Sequence, residues 1–392
     1  MRPLLAIFIV CTVDVIGFGI IVPLVPYIAH RFGAAPWMIT WIFGSYSLCQ
    51  LIAAPIWGRL SDRYGRRPIL ISSMAGACAS YFVLGFAPTL VWLVASRMLS
   101  GFMAGNISAA MAYAADISAP EQRARALGTV GAAIALGFMI GPAIGGLLVG
   151  NDANTASFLL PAMVSAALSV VAMLLVIFLL RESLSAEQRE NNRVGASPLV
   201  ALRTLSARPA LRWLVVAGVL VTFSQATLES IAALWGLQRF GIGPRNIGFV
   251  FFGLAAIAVI MQGGLIRVLA PRFGERRLAL AGVAAYVCGL TLVGLAPTIA
   301  VALVGLALVG VGSGLFSPSA SALVSHQATA GNRGVVMGTY QSGASLARVL
   351  GPFSSGLIFG HFGPGAPFLF GALVTAQAVW CLLAAQRTGD AP

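Results

Sequence analysis

Gly58-Arg59-Leu60-Ser61-Asp62-Arg63-Tyr64-Gly65-Arg66-Arg67-Pro68 is a short charged run set between two apolar stretches, Trp37–Trp57 and Pro68–Ala87. Each flank has the roughly 20 apolar residues that a spanning helix needs, so the run reads as the loop between two consecutive transmembrane helices. Gly58 and Gly65 are expected to permit a tight turn and close helix approach there. Outward from this loop the pattern repeats. Twelve apolar stretches can be drawn: Leu4–Tyr27, Trp37–Trp57, Pro68–Ala87, Leu90–Ala112, Ala124–Val149, Ala156–Leu180, Trp213–Trp235, Ile247–Leu269, Leu278–Ala296, Thr298–Val324, Gly334–Ile358 and Ala366–Ala385. The connections are short except for a polar segment, 181–212, which holds Pro198 and Pro209. The expected fold is therefore an all-α membrane protein of 12 transmembrane helices. Residues 1–180 form one six-helix bundle, 181–212 a cytoplasmic linker and 213–392 a second bundle.

Composition agrees. Of 392 residues, 59% are hydrophobic and only 9% charged. A soluble domain carries about 25% charged residues, so the solvent of this chain must be largely lipid. All 24 cations are arginine. They cluster in the short loops as topology signals and not in a nucleic-acid-binding face. With the N-terminus placed in the cytoplasm, nineteen arginines fall on the cytoplasmic side and three (Arg31, Arg239 and Arg245) on the other. Both termini and the linker are thus expected inside a bacterial-type inner membrane. Met1-Arg2-Pro3 leads straight into a stretch that contains Asp14 and lacks a small-residue cleavage site, which reads as helix 1 and not as a removed signal peptide.

The two halves repeat. Arg63-Tyr64-Gly65-Arg66-Arg67 returns as Arg272-Phe273-Gly274-Glu275-Arg276, and Arg272 follows Arg63 by 209 residues. Ala87-Pro88-Thr89 returns as Ala296-Pro297-Thr298, again 209 residues on, and Arg123…Gly141-Pro142…Gly146 as Arg333…Gly351-Pro352…Gly356, 210 residues on. Parallel repeats of this kind suit a substrate site near the membrane midplane that opens alternately to each side.

The charged loop resembles the loop 2–3 signature of the major facilitator superfamily. Leu93-x-x-x-Arg97-x-x-Ser100-Gly101 and Gly137-x-x-x-Gly141-Pro142-x-x-Gly145-Gly146 resemble the helix 4 and helix 5 signatures of its twelve-helix drug/proton antiporters. Gly17-x-x-x-x-x-Pro23-x-x-Pro26 adds a helix 1 match, and the tetracycline-efflux proteins look most similar within the family. The resemblance implies that Gly137, Gly141, Pro142, Gly145 and Gly146 mark an exporter. It also implies that Gly58, Asp62, Arg63, Gly65, Arg66 and Arg67 form a conformational latch on the cytoplasmic side. Physically, Asp62 can accept hydrogen bonds from a neighbouring helix N-terminus, where the macrodipole favours an anion. Asp116, Glu121 and Arg123 resemble a similar ion-paired hinge. The chain departs from the tetracycline antiporters at Ser80 and Ala258, where they carry an acid and a histidine, so the resemblance supports an exporter without assigning tetracycline.

Four ionisable residues lie well inside apolar stretches: Asp14, Arg97, Glu229 and Arg348. Each costs about 2.5–3.5 kcal/mol or more at a helix centre, which makes each a functional candidate. They stand on helices 1, 4, 7 and 11, which the resemblance places around the central cavity. From the rise per residue, Glu229 and Arg348 could pair near the midplane, and Asp14 could reach toward Arg97. A carboxylate in a low-dielectric cavity accepts a proton more readily than one in water. Asp14 is the first candidate proton carrier, Glu229 the second, and Arg97 and Arg348 their companions. Tyr46, Gln50, Asn106, Thr222, Gln225, Gln341 and Ser345 are the polar residues expected in the cavity. Phe18, Phe223, Trp235, Phe251 and Tyr340 are its expected apolar contacts.

These features predict a monomeric proton-coupled exporter of hydrophobic drug-like compounds, with a metabolite or sugar transporter of the same fold as the alternative. Small-molecule substrate, protons and the lipid bilayer are the expected partners, with no nucleic acid. No cofactor is implied, the proton gradient being the energy source. Cys11, Cys49, Cys78, Cys288 and Cys381 have no metal-ligand spacing, and His30, His326 and His361 sit at helix ends. There is no phosphate-binding loop or nucleophile–base pair, so neither ATP-driven pumping nor an enzyme is expected.

Overall fold

In the computed structural model, residues 3–119, 122–152, 157–184, 208–328 and 333–389 are described, and their regular secondary structure is entirely helical. Most of the expected linker (185–207) and Glu121 lie outside the described residues. Twelve long helices follow in order: α1 (Pro3–Arg31), α2 (Pro36–Tyr64), α3 (Arg66–Gly85), α4 (Leu90–Asp116), α5 (Arg123–Val149) and α6 (Leu159–Leu179), then α7 (Pro209–Phe240), α8 (Pro244–Phe273), α9 (Glu275–Leu295), α10 (Ile299–His326), α11 (Arg333–Phe362) and α12 (Ala366–Gly389). Eleven are long and apolar enough to cross a membrane. The twelfth, α11, is long enough but is diluted by Gln341, Ser342, Ser345, Arg348, Ser354 and Ser355.

The helices outrun the apolar stretches that announce them, because helix continues into the interfacial layer, where polar side chains are tolerated. This corrects one expectation about the charged loop. Gly58 lies inside α2, and nothing lies within 4 Å of where its Cβ would be. The turn is made by Gly65 alone, at φ 103°. Its repeat counterpart Gly274, at φ 75°, divides α8 from α9 in the same way. Three helices are interrupted: α1 by a 3-10 turn at Val22–Leu24, α4 at Ala104–Gly105, and α8 by one π turn at Met261–Leu265.

The chain divides into two compact units. Unit 1 holds Met1–Ala35, Ser45–Gly195 and Ile242–Phe252. In it α1 packs on α5 and α6, and α3 on α4 and α6. Its core is Ile7, Val10, Leu70, Met74, Tyr113 and Val176 with their neighbours. Unit 2 holds Pro36–Gly44, Ala196–Gly241 and Gly253–Pro392. There α7 packs on α11 and α12, and α9 on α10 and α12, around Leu211, Val283, Phe316, Val324 and Leu382. The same helix pairs recur six positions on, so the sequence repeat is also a packing repeat.

Small residues set the closest approaches, as expected where lipid supplies no hydrophobic drive between helices. On α5, a Cβ at Gly137 would lie 2.6 Å from Val15 Cβ, and one at Gly141 would lie 2.7 Å from Gly19 Cα, so α1 and α5 meet backbone to backbone. A Cβ at Gly145 would fall on the Ile20 carbonyl, and one at Gly146 would lie 2.8 Å from the Arg245 carbonyl. The start of α8 is held there too, with the Arg245 N–H donating to the Gly150 carbonyl at 2.9 Å. In unit 2, a Cβ at Gly312 would lie 2.6 Å from Tyr286 N and 2.7 Å from the Gly282 carbonyl. These neighbours are backbone and cannot swing aside. Gly312→Leu is therefore expected to destabilise unit 2 by about 1–3 kcal/mol, read as a lower melting temperature of the detergent-solubilised protein. Gly131→Ala, where nothing lies within 4 Å, should leave the melting temperature unchanged or slightly raised.

Candidate functional site

The interruption of α4 shapes the site in unit 1. A regular helix would pair Asn106 N–H with the Phe102 carbonyl and Ile107 N–H with the Met103 carbonyl. Here all four groups find side-chain partners. Trp57 Nε1 donates to the Phe102 carbonyl, and Ser73 Oγ donates to the Met103 carbonyl. Asn106 N–H donates to Ser73 Oγ at 3.1 Å, and Ile107 N–H to Asn106 Oδ1 at 2.9 Å. Gly105 is required at the break, because a Cβ there would strike the Trp57 ring.

The break delivers Asn106 to Asp14. Asn106 Nδ2 donates to Asp14 Oδ2, and Asp14 is 7% exposed on α1. Cys11, Leu70, Met74, Ile107 and Ala110 line the crevice around the pair. The expected approach of Asp14 to Arg97 does not occur: among the described residues no carboxylate is paired with Arg97. Arg97 precedes Asn106 by nine residues on α4, about 13 Å of rise, so it stands two to three turns from the level of Asp14. It lies instead over the Tyr81 ring, with Cζ 5.6 Å from the centroid. Phe18 meets Tyr46 at 5.1 Å between ring centroids and Phe138 at 5.6 Å. Gln50 is half-buried on α2.

In unit 2, Gln225 Nε2 donates to Glu229 Oε1 at 2.9 Å, one turn apart on α7. Glu229 and Arg348 are both exposed and act on each other electrostatically, but they do not form the expected ion pair. Gln341 is exposed on α11, and Ser345 Oγ turns back to the Gln341 carbonyl. Tyr340 occupies the space left by Gly218 on α7. Contacts of Thr227 Oγ1 with the Gly351 carbonyl and of Ser230 with Ser355 fix α7 against α11 beside Pro352. Trp235 is not a cavity residue. It is 3% exposed and packed between Phe240 and Phe368, because its helix face turns toward α12. Phe223 likewise meets Phe370 of α12, and Phe251 is buried in unit 1.

The charged loop is tied up within unit 1. Arg66 pairs with Asp62 at 2.6 Å and with Asp116 at 3.0 Å, and Ser61 Oγ accepts from it as well. The expected capping by Asp62 is carried out by Glu182, just beyond α6. Its carboxylate accepts from the N–H groups of Arg66 at 2.9 Å and Arg67 at 3.2 Å, at the N-terminus of α3. Gly65 leaves room for it, since a Cβ there would strike the Glu182 carboxylate. Arg67 Nη2 donates to the Ile177 carbonyl at 2.6 Å, and Arg63 lies over the Tyr64 ring at 5.3 Å. Asp116 turns to Arg66 and Ser183 and not to Arg123, which is exposed. Sequence reasoning missed Glu182, Ser73, Trp57, Tyr81 and Phe138. Only Glu182, the first acid after an apolar stretch, carried a signal that could have found it.

The sequence matches the Major Facilitator Superfamily over residues 7–271 and 264–391. It is 30% identical over 343 residues to the tetracycline resistance protein, class G, of Vibrio anguillarum, covering 86% of each chain. It is 28% identical over 374 residues to multidrug resistance protein 2 of Bacillus subtilis (strain 168), covering 92% of this chain and 89% of that one. The crystal structure of the human organic anion transporter MFSD10 (TETRAN) is similar, with a TM-score of 0.74 at 25% identity, covering 97% of this chain and 99% of that one. All twelve helices fall within the matched residues apart from the first turn of α1, and the chain belongs to the Major Facilitator Superfamily, as a multi-pass membrane transporter of small-molecule substrates.

Proposed function

We propose that this transporter is a proton-coupled exporter of hydrophobic drug-like compounds that works by alternating access. The observation that carries the reading is Asp14, a carboxylate enclosed among apolar side chains with Asn106 as its hydrogen-bond partner. Such a group is costly to keep charged without a paired cation, and exchanging its charge for a proton relieves that cost. Glu229, held by Gln225 in unit 2, is the second proton site. The aromatic group of Phe18, Tyr46 and Phe138 offers an apolar drug a contact surface. Similarity to tetracycline and multidrug resistance proteins supports export. The departure at Ser80, whose Oγ donates to the Ala77 carbonyl, keeps tetracycline itself out of the proposal.

Both termini lie in the cytoplasm of a bacterial-type inner membrane, and the working protein is a monomer of two bundles, 1–180 and 213–392, joined by 181–212. The Arg66 cluster with Asp62 and Asp116 serves as the cytoplasmic latch, remade in each transport cycle.

The test is drug-induced proton release from energised membrane vesicles. Asp14→Asn should reduce it at least about tenfold, and Glu229→Gln by a smaller factor, each with normal protein yield. Full coupling in both variants would exclude the assignment. A second test addresses the break in α4. Ser73→Ala strands one backbone N–H and one carbonyl, costing about 1–3 kcal/mol for each unsatisfied group. It should lower both the melting temperature and the export rate, whereas Ser72→Ala, whose Oγ bonds only within its own helix, should change neither.

A further inference from the structure

Among the described residues of unit 1, one buried cation has no ion-pair partner. Arg97 is 4% exposed, and its Nε and Nη2 are buried without a hydrogen-bond partner. Among the described residues no carboxylate lies within 4.0 Å of it. Taking a guanidinium out of water is costly unless a counter-charge and hydrogen bonds compensate, and the Tyr81 ring compensates only in part. Asp14, the other charge of this unit inside the membrane, is engaged by Asn106. Among the described residues, then, Arg97 is a desolvated cation with two donors unpartnered. Nε and Nη2 are the pair that presents a side-on fork to two oxygens of one carboxylate or sulfonate.

The surroundings say what such an anion would be attached to. One turn after Arg97, α4 meets α2 at Gly101, where the Tyr46 carbonyl occupies the place of a Cβ. Arg97 and Tyr46 act on each other electrostatically. From Tyr46 the rings continue to Phe18 and Phe138, at 5.1 and 5.6 Å steps. A cation joined through Tyr46 to an aromatic cluster complements an apolar body that carries an acidic group.

We propose that Arg97 is the anion-binding residue of a substrate subsite for amphipathic aromatic anions, with the rings of Phe18, Tyr46 and Phe138 receiving the aromatic body. This rests on the transporter reading and specifies its substrate class.

The experiment is equilibrium binding by calorimetry to the purified full-length protein in lipid nanodiscs, with three matched probes: 2-naphthoate, 2-naphthamide and 2-naphthylmethylammonium. Wild-type protein should bind the carboxylate about tenfold more tightly than the amide, and the ammonium most weakly. Arg97→Gln should bring naphthoate down to the level of naphthamide. Arg97→Lys, which keeps the charge and loses the fork, should retain part of the preference. Phe18→Ala should weaken naphthoate and naphthamide by the same factor. Equal binding of carboxylate and amide by the wild-type protein overturns the proposal, whether or not any variant folds, and so does an undiminished preference in Arg97→Gln. No gradient is present, so failure of proton-coupled export and failure of this subsite are separate results.

Discussion

A bilayer core offers the backbone no water. Every N–H and carbonyl at membrane depth must find a partner in the protein, and the structure is organised by that constraint. Helices meet it by pairing these groups within each segment. Where α4 breaks, the constraint becomes constructive. Four backbone groups are released and four side-chain bonds, from Trp57, Ser73 and Asn106, take them up. The break so stabilised brings the Asn106 amide to the Asp14 carboxylate. A polar contact at the centre of unit 1 is thus a by-product of how a helix defect is repaired.

The same constraint separates the two kinds of charge. Around the turn between α2 and α3, charges are gathered into a network, with Arg66 held by Asp62 and Asp116 and Glu182 closing the N-terminus of α3. Arg66 is itself buried, and two carboxylates with the Ser61 hydroxyl compensate its loss of water. Inside the membrane, charges are kept apart. Asp14 and Arg97 lie at different levels of unit 1, and Glu229 and Arg348 of unit 2 stop short of contact. Neutral pairs would be the stable arrangement for a static protein. Charges left unpaired at depth are available to a proton or a substrate, and a transporter needs such availability.

Glycine does for packing what arginine does for topology. The α5 series Gly137, Gly141 and Gly145 lets α1 approach through Val15, Gly19 and Ile20, and Gly146 receives the start of α8. In unit 2, Gly282 and Gly312 bring α9 and α10 together at Tyr286 and Phe316. With lipid as apolar as the side chains, close backbone contact is the main source of cohesion left. Both units rely on it, at different helix pairs: α1 with α5 in unit 1, α9 with α10 in unit 2.

The twelve helices and the repeat were legible in the sequence, because hydropathy and spacing are properties of single residues and their order. The glycines at 65 and 274 announced their turns, since only glycine adopts their backbone angles without strain. Gly58 misled for the complementary reason: glycine permits a turn without requiring one, and here the helix runs through it. The four intramembrane charges were visible as residues, but their partners were not. Whether Asp14 meets Arg97 or Asn106 depends on the height and rotation of α4 against α1. Those are set by the Ser73 and Trp57 contacts from two other helices, 33 and 45 residues away along the chain. Trp235 likewise read as a cavity aromatic until packing turned it toward Phe368. Order along the chain determined which segments cross the membrane. Only the tertiary structure decided which side chains meet there, because a helix fixes the spacing of its residues but leaves its depth and rotation to its neighbours.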